Sequence, residues 1–177
     1  VRGELEYLRA VLLDQAQQEP EQVRASLRQA VDDLATRPAL RGRALVALVL
    51  RSDPEEPLAR RKRRLDRVID LLPAIQDPAE ELFLIGKVGS ALVGMGHPSW
   101  RDVTVWMRTR TGVVPRTRHA GNAWYSIGAA AGPAGHHHHS LDLLTGALTA
   151  ASAGIPAIRA FCTSSKEARP LTCRTVP

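Results

Sequence analysis

With 177 residues, 44% hydrophobic and 24% charged, the chain is long and apolar enough to bury a sizeable core in one domain, and its composition excludes a disordered or collagen-like protein. Aromatic residues make up only 4%, so Leu, Val, Ile and Ala must build that core, and the β-branched or aromatic alternation that marks sheets is missing. The net charge of +6 is carried by arginine, since Lys62, Lys87 and Lys166 are the only lysines among 24 cationic residues, and this balance permits acidic or nucleic-acid partners.

The first helical stretch is expected over residues 3–18, with Leu5, Leu8 and Leu12 forming an apolar stripe flanked by Val11 and Leu13. Pro20 suits the first turn of a second helix, in which Val23, Leu27, Ala30, Val31 and Leu34 recur at helical spacing before Pro38 ends it. A third helix is expected over residues 40–51 and a fourth over 57–72. They are separated by Ser52-Asp53-Pro54, where Ser or Asp can cap the next helix. After Pro73 and Pro78, residues 79–95 and 100–109 form a pair across the Gly94-Met95-Gly96-His97-Pro98 turn. Arg101 and Arg108 predict an irregular or differently turned second member. The last pair spans residues 117–131 and 137–153, and a further helix is expected after Pro156 through Ala160 and Phe161. Residues 1–169 read as one domain and residues 170–177 as an irregular tail. The start at Val1 and the irregular end at Pro177 predict a piece of a longer protein.

Trp124, Ile127, Gly128, Ala131, Gly135, Leu144, Ala147 and Leu148 stand at the spacing of a tetratricopeptide (TPR) repeat, and residues 124–148 resemble that helix-turn-helix unit. Ser140 departs from the pattern by placing a polar side chain where the second helix usually carries alanine. Glycine inside a helix costs about 1 kcal/mol relative to alanine, so Gly128 is expected at a close helix approach. Val88, Gly89, Gly96 and His97 precede Ile127, Gly128, Gly135 and His136 by 39 residues in every case, which extends the pattern to the preceding pair. Second helices then begin near positions 20, 57, 98 and 137, close to TPR or HEAT-like periods. The expected fold is all-α, antiparallel helix pairs stacked as a TPR-like solenoid, with an irregular helical bundle as the alternative.

The densest charge is Arg60, Arg61, Lys62, Arg63 and Arg64, extended by Arg67. Such residues suit phosphate contacts, but Leu58, Leu65, Val68, Ile69 and Leu72 give the helix a buried side, and Asp53, Glu55, Glu56, Asp66 and Asp70 can balance the charge. Stacking could bring His97 and His119 near the tetrad His136 to His139, but no Asp, Glu or Cys recurs at ligand spacing, and the tetrad reads as an exposed turn without a native metal role. Ser164, Ser165 and Lys166 lack a glycine-bounded elbow, and Gly86, Gly89, Gly94 and Gly96 lie in and after a helix instead of forming a phosphate loop. Glu80 and Glu81 fit a helix start, where acidic residues favour the dipole. Cys162 and Cys173 are too few for a disulfide framework and fit no common zinc spacing.

No catalytic constellation is assembled, and no cofactor is expected. The helical repeat regions of bacterial signal-transducing ATPases and of large multidomain transcription regulators look similar in their degenerate, alanine- and arginine-rich repeats. That resemblance implies a non-catalytic sensor or partner-docking domain that takes a protein, a peptide or a small effector. Lys87, Ala91, Asn122 and Tyr125, on the first helices, are the candidate partner-binding residues. The rival reading is a basic helical nucleic-acid-binding module using Arg60, Arg61, Lys62, Arg63, Arg64 and Arg67. No signal peptide and no run of about 18 apolar residues is present, so a cytoplasmic location away from membranes is expected.

Overall fold

The structure, a computed structural model, describes residues 1–113 and 118–152. Within them the chain is all helical: α1 (Arg2–Gln15), α2 (Pro20–Asp33), α3 (Pro38–Leu50), α4 (Leu58–Leu71), α5 (Pro78–Gly94), α6 (Trp100–Val113), α7 (Arg118–Ala131) and α8 (His137–Ser152), with a short 3-10 turn at Leu72–Ala74. The further helix expected beyond Pro156, the two cysteines, the Ser164-Ser165-Lys166 stretch and the tail lie outside the described residues. Among the described residues no helix is long and apolar enough to cross a membrane.

Local chemistry explains most of the boundaries. Proline opens α2, α3 and α5 at a position where its missing N–H is no loss. Asp77 caps α5, its Oδ1 accepting the Ala79 N–H at 2.8 Å. Ser52 and Asp53 do not cap α4 as expected. The Ser52 hydroxyl donates to the Leu48 carbonyl at 2.9 Å and Asp53 Oδ1 accepts from the Glu55 N–H at 2.9 Å, so both shape the turn instead. The first helix ends at Gln15, short of the expected residue 18. Gln17 takes a left-handed φ of 52°, and the chain turns there so that Pro20 can open α2.

The echo at an offset of 39 is conformational as well as chemical. Gly96 and Gly135 both have positive φ, 65° and 83°, and each is followed by a histidine whose N–H reaches the carbonyl five residues back, His97 to Leu92 and His136 to Ala131, both at 2.9 Å. Val88 and Ile127 are fully buried.

Packing runs from each helix to its near neighbours: α1 on α2, α3 on α4, α5 on α6 and α7, and α7 on α8, with α2 and α5 both touching α3. Two glycines bring α5 and α7 together. A Cβ at Gly86 would lie 2.7 Å from the Ala123 Cα, and one at Gly89 would lie 2.5 Å from the Ile127 Cδ1. Gly128 performs its expected role between α7 and α8, because a Cβ there would meet Leu143 Cβ at 3.0 Å. Ser140 turns its polarity to use: buried, its hydroxyl donates to the Gly128 carbonyl at 2.8 Å.

Two further expectations are corrected. Leu5, Leu8 and Leu12 are 61%, 55% and 64% exposed, because α1 meets α2 through the small side of the helix at Gly3 and Ala10. The helix carrying Arg101 and Arg108 is regular and runs past Thr109. Trp100, Val103, Thr104 and Met107 turn inward, which leaves both arginines outside.

Candidate partner-binding face

Lys87 on α5 and Asn122 and Tyr125 on α7 come together in a recess of about 270 Å³, joined by Phe83, His119 and Ser126. The glycine contacts between α5 and α7 place them there, since a bulkier seam would hold the two helix faces apart. Ala91 is not with them: at 7% exposed it belongs to the core. Tyr125 is 60% exposed and Phe83 37%, which is uncommon for side chains with this much apolar area. Phe83 carries two cations, the Arg43 guanidinium 4.7 Å and the Lys87 ammonium 5.7 Å from its ring centre. The Ser126 hydroxyl is turned back onto its own helix, donating to the Asn122 carbonyl at 2.9 Å.

The electrostatics of this face are one-sided. Neither α3 nor α7 contains an acidic residue, and the two on α5 are both taken. Glu80 receives a two-pronged bond from Arg43 at 2.5 and 2.8 Å, and buried Glu81 receives the same from Arg110 at 2.5 and 2.8 Å. Arg43 and Arg110 are held above the usual arginine range by these bonds. The two glutamates, expected only as helix-start residues, therefore tie α5 to α3 and to α6. Lys87 has no ion-pair partner among the described residues. Phe83, Arg43 and Ser126 were not among the expected site residues. Phe83 and Lys87 stand at i, i+4, and His119, Asn122 and Ser126 at i, i+3, i+7, so helical spacing held the signal once α5 and α7 were known to adjoin.

The basic run on α4 is largely consumed at home. Arg64 grips Glu56 at 2.6 and 2.8 Å, Arg60 pairs with the same carboxylate at 3.3 Å, Lys62 reaches Asp66 at 2.8 Å, and Arg61 donates to the carbonyls of Asp53 and Pro54. Arg63 and Arg67 are exposed and make no ion pair among the described residues. Near the run, Arg24, Arg28, Arg60 and Arg64 line a recess of about 260 Å³ together with Glu21, Asp53 and Glu56, so its charges are mostly matched.

The histidine tetrad is more than a turn. His137, His138 and His139 open α8, and His136 is half-buried. His136 and His139 lie 5.2 and 5.3 Å from the ring of buried Trp100. His97 stays apart, its Nδ1 accepting the Ser99 N–H at 3.3 Å, and His119 belongs to the α5–α7 recess. Comparison with known protein families, curated proteins and solved structures finds no match to the chain.

Proposed function

We propose that the chain is a non-catalytic, TPR-like interaction domain of a larger bacterial regulator, in which stacked antiparallel helix pairs present their first helices to an acidic peptide or protein segment. The observation that carries this reading is the meeting of Lys87, Asn122 and Tyr125 beside Phe83, on a face whose carboxylates are all held by arginines. A bound carboxylate would find the Lys87 ammonium, which lies over the Phe83 ring and has no ion-pair partner among the described residues. An apolar or aromatic side chain would find Phe83 and Tyr125, and the Asn122 amide would orient the peptide backbone. The shared backbone geometry at Gly96 and Gly135 and the close approaches at Gly86, Gly89 and Gly128 support the repeat architecture.

Fluorescence anisotropy with labelled acidic, neutral and basic peptide pools tests the reading. The acidic pool should bind best, and Lys87→Glu or Tyr125→Ala should weaken it about tenfold, equivalent to about 1.4 kcal/mol. Equal binding of all three pools, or variants that bind like the parent, would reject this face.

The second reading, phosphate-backbone binding by α4, is favoured by the exposed Arg63 and Arg67. These two are cleaner probes than Arg61 and Arg64, which hold the fold locally. A tight, salt-sensitive affinity for duplex DNA or for RNA that Arg63→Gln with Arg67→Gln abolishes would establish it over the peptide reading.

A further inference from the structure

We propose that His136 and His139 form a two-imidazole clip for a late first-row divalent metal ion, copper(II) foremost, seated against the ring of Trp100. The ring centres of the two histidines are 6.5 Å apart and nearly perpendicular. Two imidazoles that share one ion at bond lengths of 2.0–2.1 Å have ring centres about 4.5 Å apart when cis in a square plane and about 5.2 Å apart at a tetrahedral angle, so the pair must close by roughly 1–2 Å through side-chain rotation to hold a metal. The arrangement is supported from behind. Trp100 is 2% exposed and contacts both imidazole rings, which keeps the two side chains on the same side of the α8 start. The His136 backbone is fixed as well, because its N–H is bonded to Ala131 and its carbonyl accepts the Ser140 N–H at 2.9 Å.

The surroundings define which ions qualify. Among the described residues no three His, Cys, Asp or Glu side chains gather as a metal-holding group, so the clip offers two protein nitrogens and leaves the other positions to water or to an external ligand. No carboxylate or thiolate is supplied, which excludes calcium and magnesium. Positive neighbours oppose the ion: the clip sits at the first turn of α8, and the Arg101 guanidinium lies 5.5 Å from the Trp100 ring centre. Only metals with high intrinsic affinity for imidazole overcome that, which places copper(II) ahead of nickel(II) and zinc(II).

The full 177-residue chain, purified without a metal column, would be titrated with copper(II) chloride while tryptophan emission and heat are recorded. Saturable quenching at one ion per chain is expected, reversed by competition with excess zinc(II), which does not quench. His136→Gln with His139→Gln should weaken binding about tenfold or more, whereas His137→Gln with His138→Gln should change it by less than about threefold. Equal losses in the two double variants would overturn the clip, since the run would then chelate without regard to geometry, an adventitious ion only. Absence of saturable quenching in the parent would overturn it too. Should the first double variant fail to fold by circular dichroism, His139→Gln alone, at an exposed position, must show the same loss for the proposal to stand.

Discussion

A single methyl group separates the glycines of this chain into two kinds. At Gly86 an added Cβ would stand 2.7 Å from the Ala123 Cα, and a backbone atom in a helix cannot step aside without moving the helix. At Gly89 the obstacle is the Ile127 Cδ1, the far end of a side chain that can rotate. At Gly94 nothing lies within 4 Å, and the helix is free to gain the better propensity of alanine. Gly86→Ala should therefore lower stability by about 1–3 kcal/mol of overpacking, less the roughly 1 kcal/mol that alanine returns in a helix. Gly94→Ala should be neutral or stabilising by up to about 1 kcal/mol. Urea midpoints of the two variants check the order, and a Gly86→Ala midpoint at or above that of Gly94→Ala would contradict the close approach of α5 and α7.

Between helices, arginine and carboxylate pairs supply the cross-links that small apolar seams do not. Arg51, just past the end of α3, binds Asp14 of α1, while Arg64 ties α4 to Glu56 in the turn that precedes it. Hydrogen bonds from Arg51 hold Asp14 below its ordinary 3.8. Those from Arg28 and Arg24 hold Glu21 below 4.5. Burial pushes Glu56 up, but Arg64, Ser52 and Arg60 outweigh it and leave the carboxyl below 4.5. A folded value below the unfolded one means the stabilisation is present above the unfolded pKa and is lost as pH falls through the folded value. Melting temperature should thus be flat from neutral pH to about pH 5 and decline below about pH 4. Asp14→Asn with Glu56→Gln should lower it at pH 7 and flatten the acid limb, as thermal melts across pH would register. Sequence shows such pairs poorly, because Asp14 and Arg51 are 37 residues apart and only the fold introduces them. The start of α2 was legible because Pro20 marks it chemically, whereas Pro38 and Pro78 read as ends of the preceding segments although they open α3 and α5. Periodicity also showed which leucines of α1 share a face, but it could not show that Leu5, Leu8 and Leu12 stay more than half exposed among the described residues. Likewise Lys87, Asn122 and Tyr125 were readable as one surface from helical register. Phe83 was not, since one aromatic inside an apolar run reads as core, and Ala91 fell on the buried side of the helix one turn beyond Lys87.

For the molecule as a whole, the pattern of contacts implies that stability is distributed unevenly along the chain. The centre is doubly held: α5 packs on α3, α6 and α7, and its Glu80 and Glu81 are each gripped by an arginine from another helix. Among the described residues the edges have fewer neighbours. The outer sides of α1 and α8 leave Leu5, Leu8, Leu12, Leu141 and Leu148 more than half exposed. When each unit touches mainly the next, opening an end breaks one interface, whereas opening the middle breaks two. Amide hydrogen exchange should therefore be slowest in α5 and the facing part of α7, and α1 should exchange well before them under native conditions. Gly86→Ala gives the sharper version of the test. It weakens the seam between α5 and α7 without touching α1 or α2, so it should accelerate exchange in the centre while leaving the α1–α2 pair close to its original rate. Uniform acceleration across all helices would instead mean that the chain opens as one cooperative block, and the nearest-neighbour account of its stability would have to be abandoned.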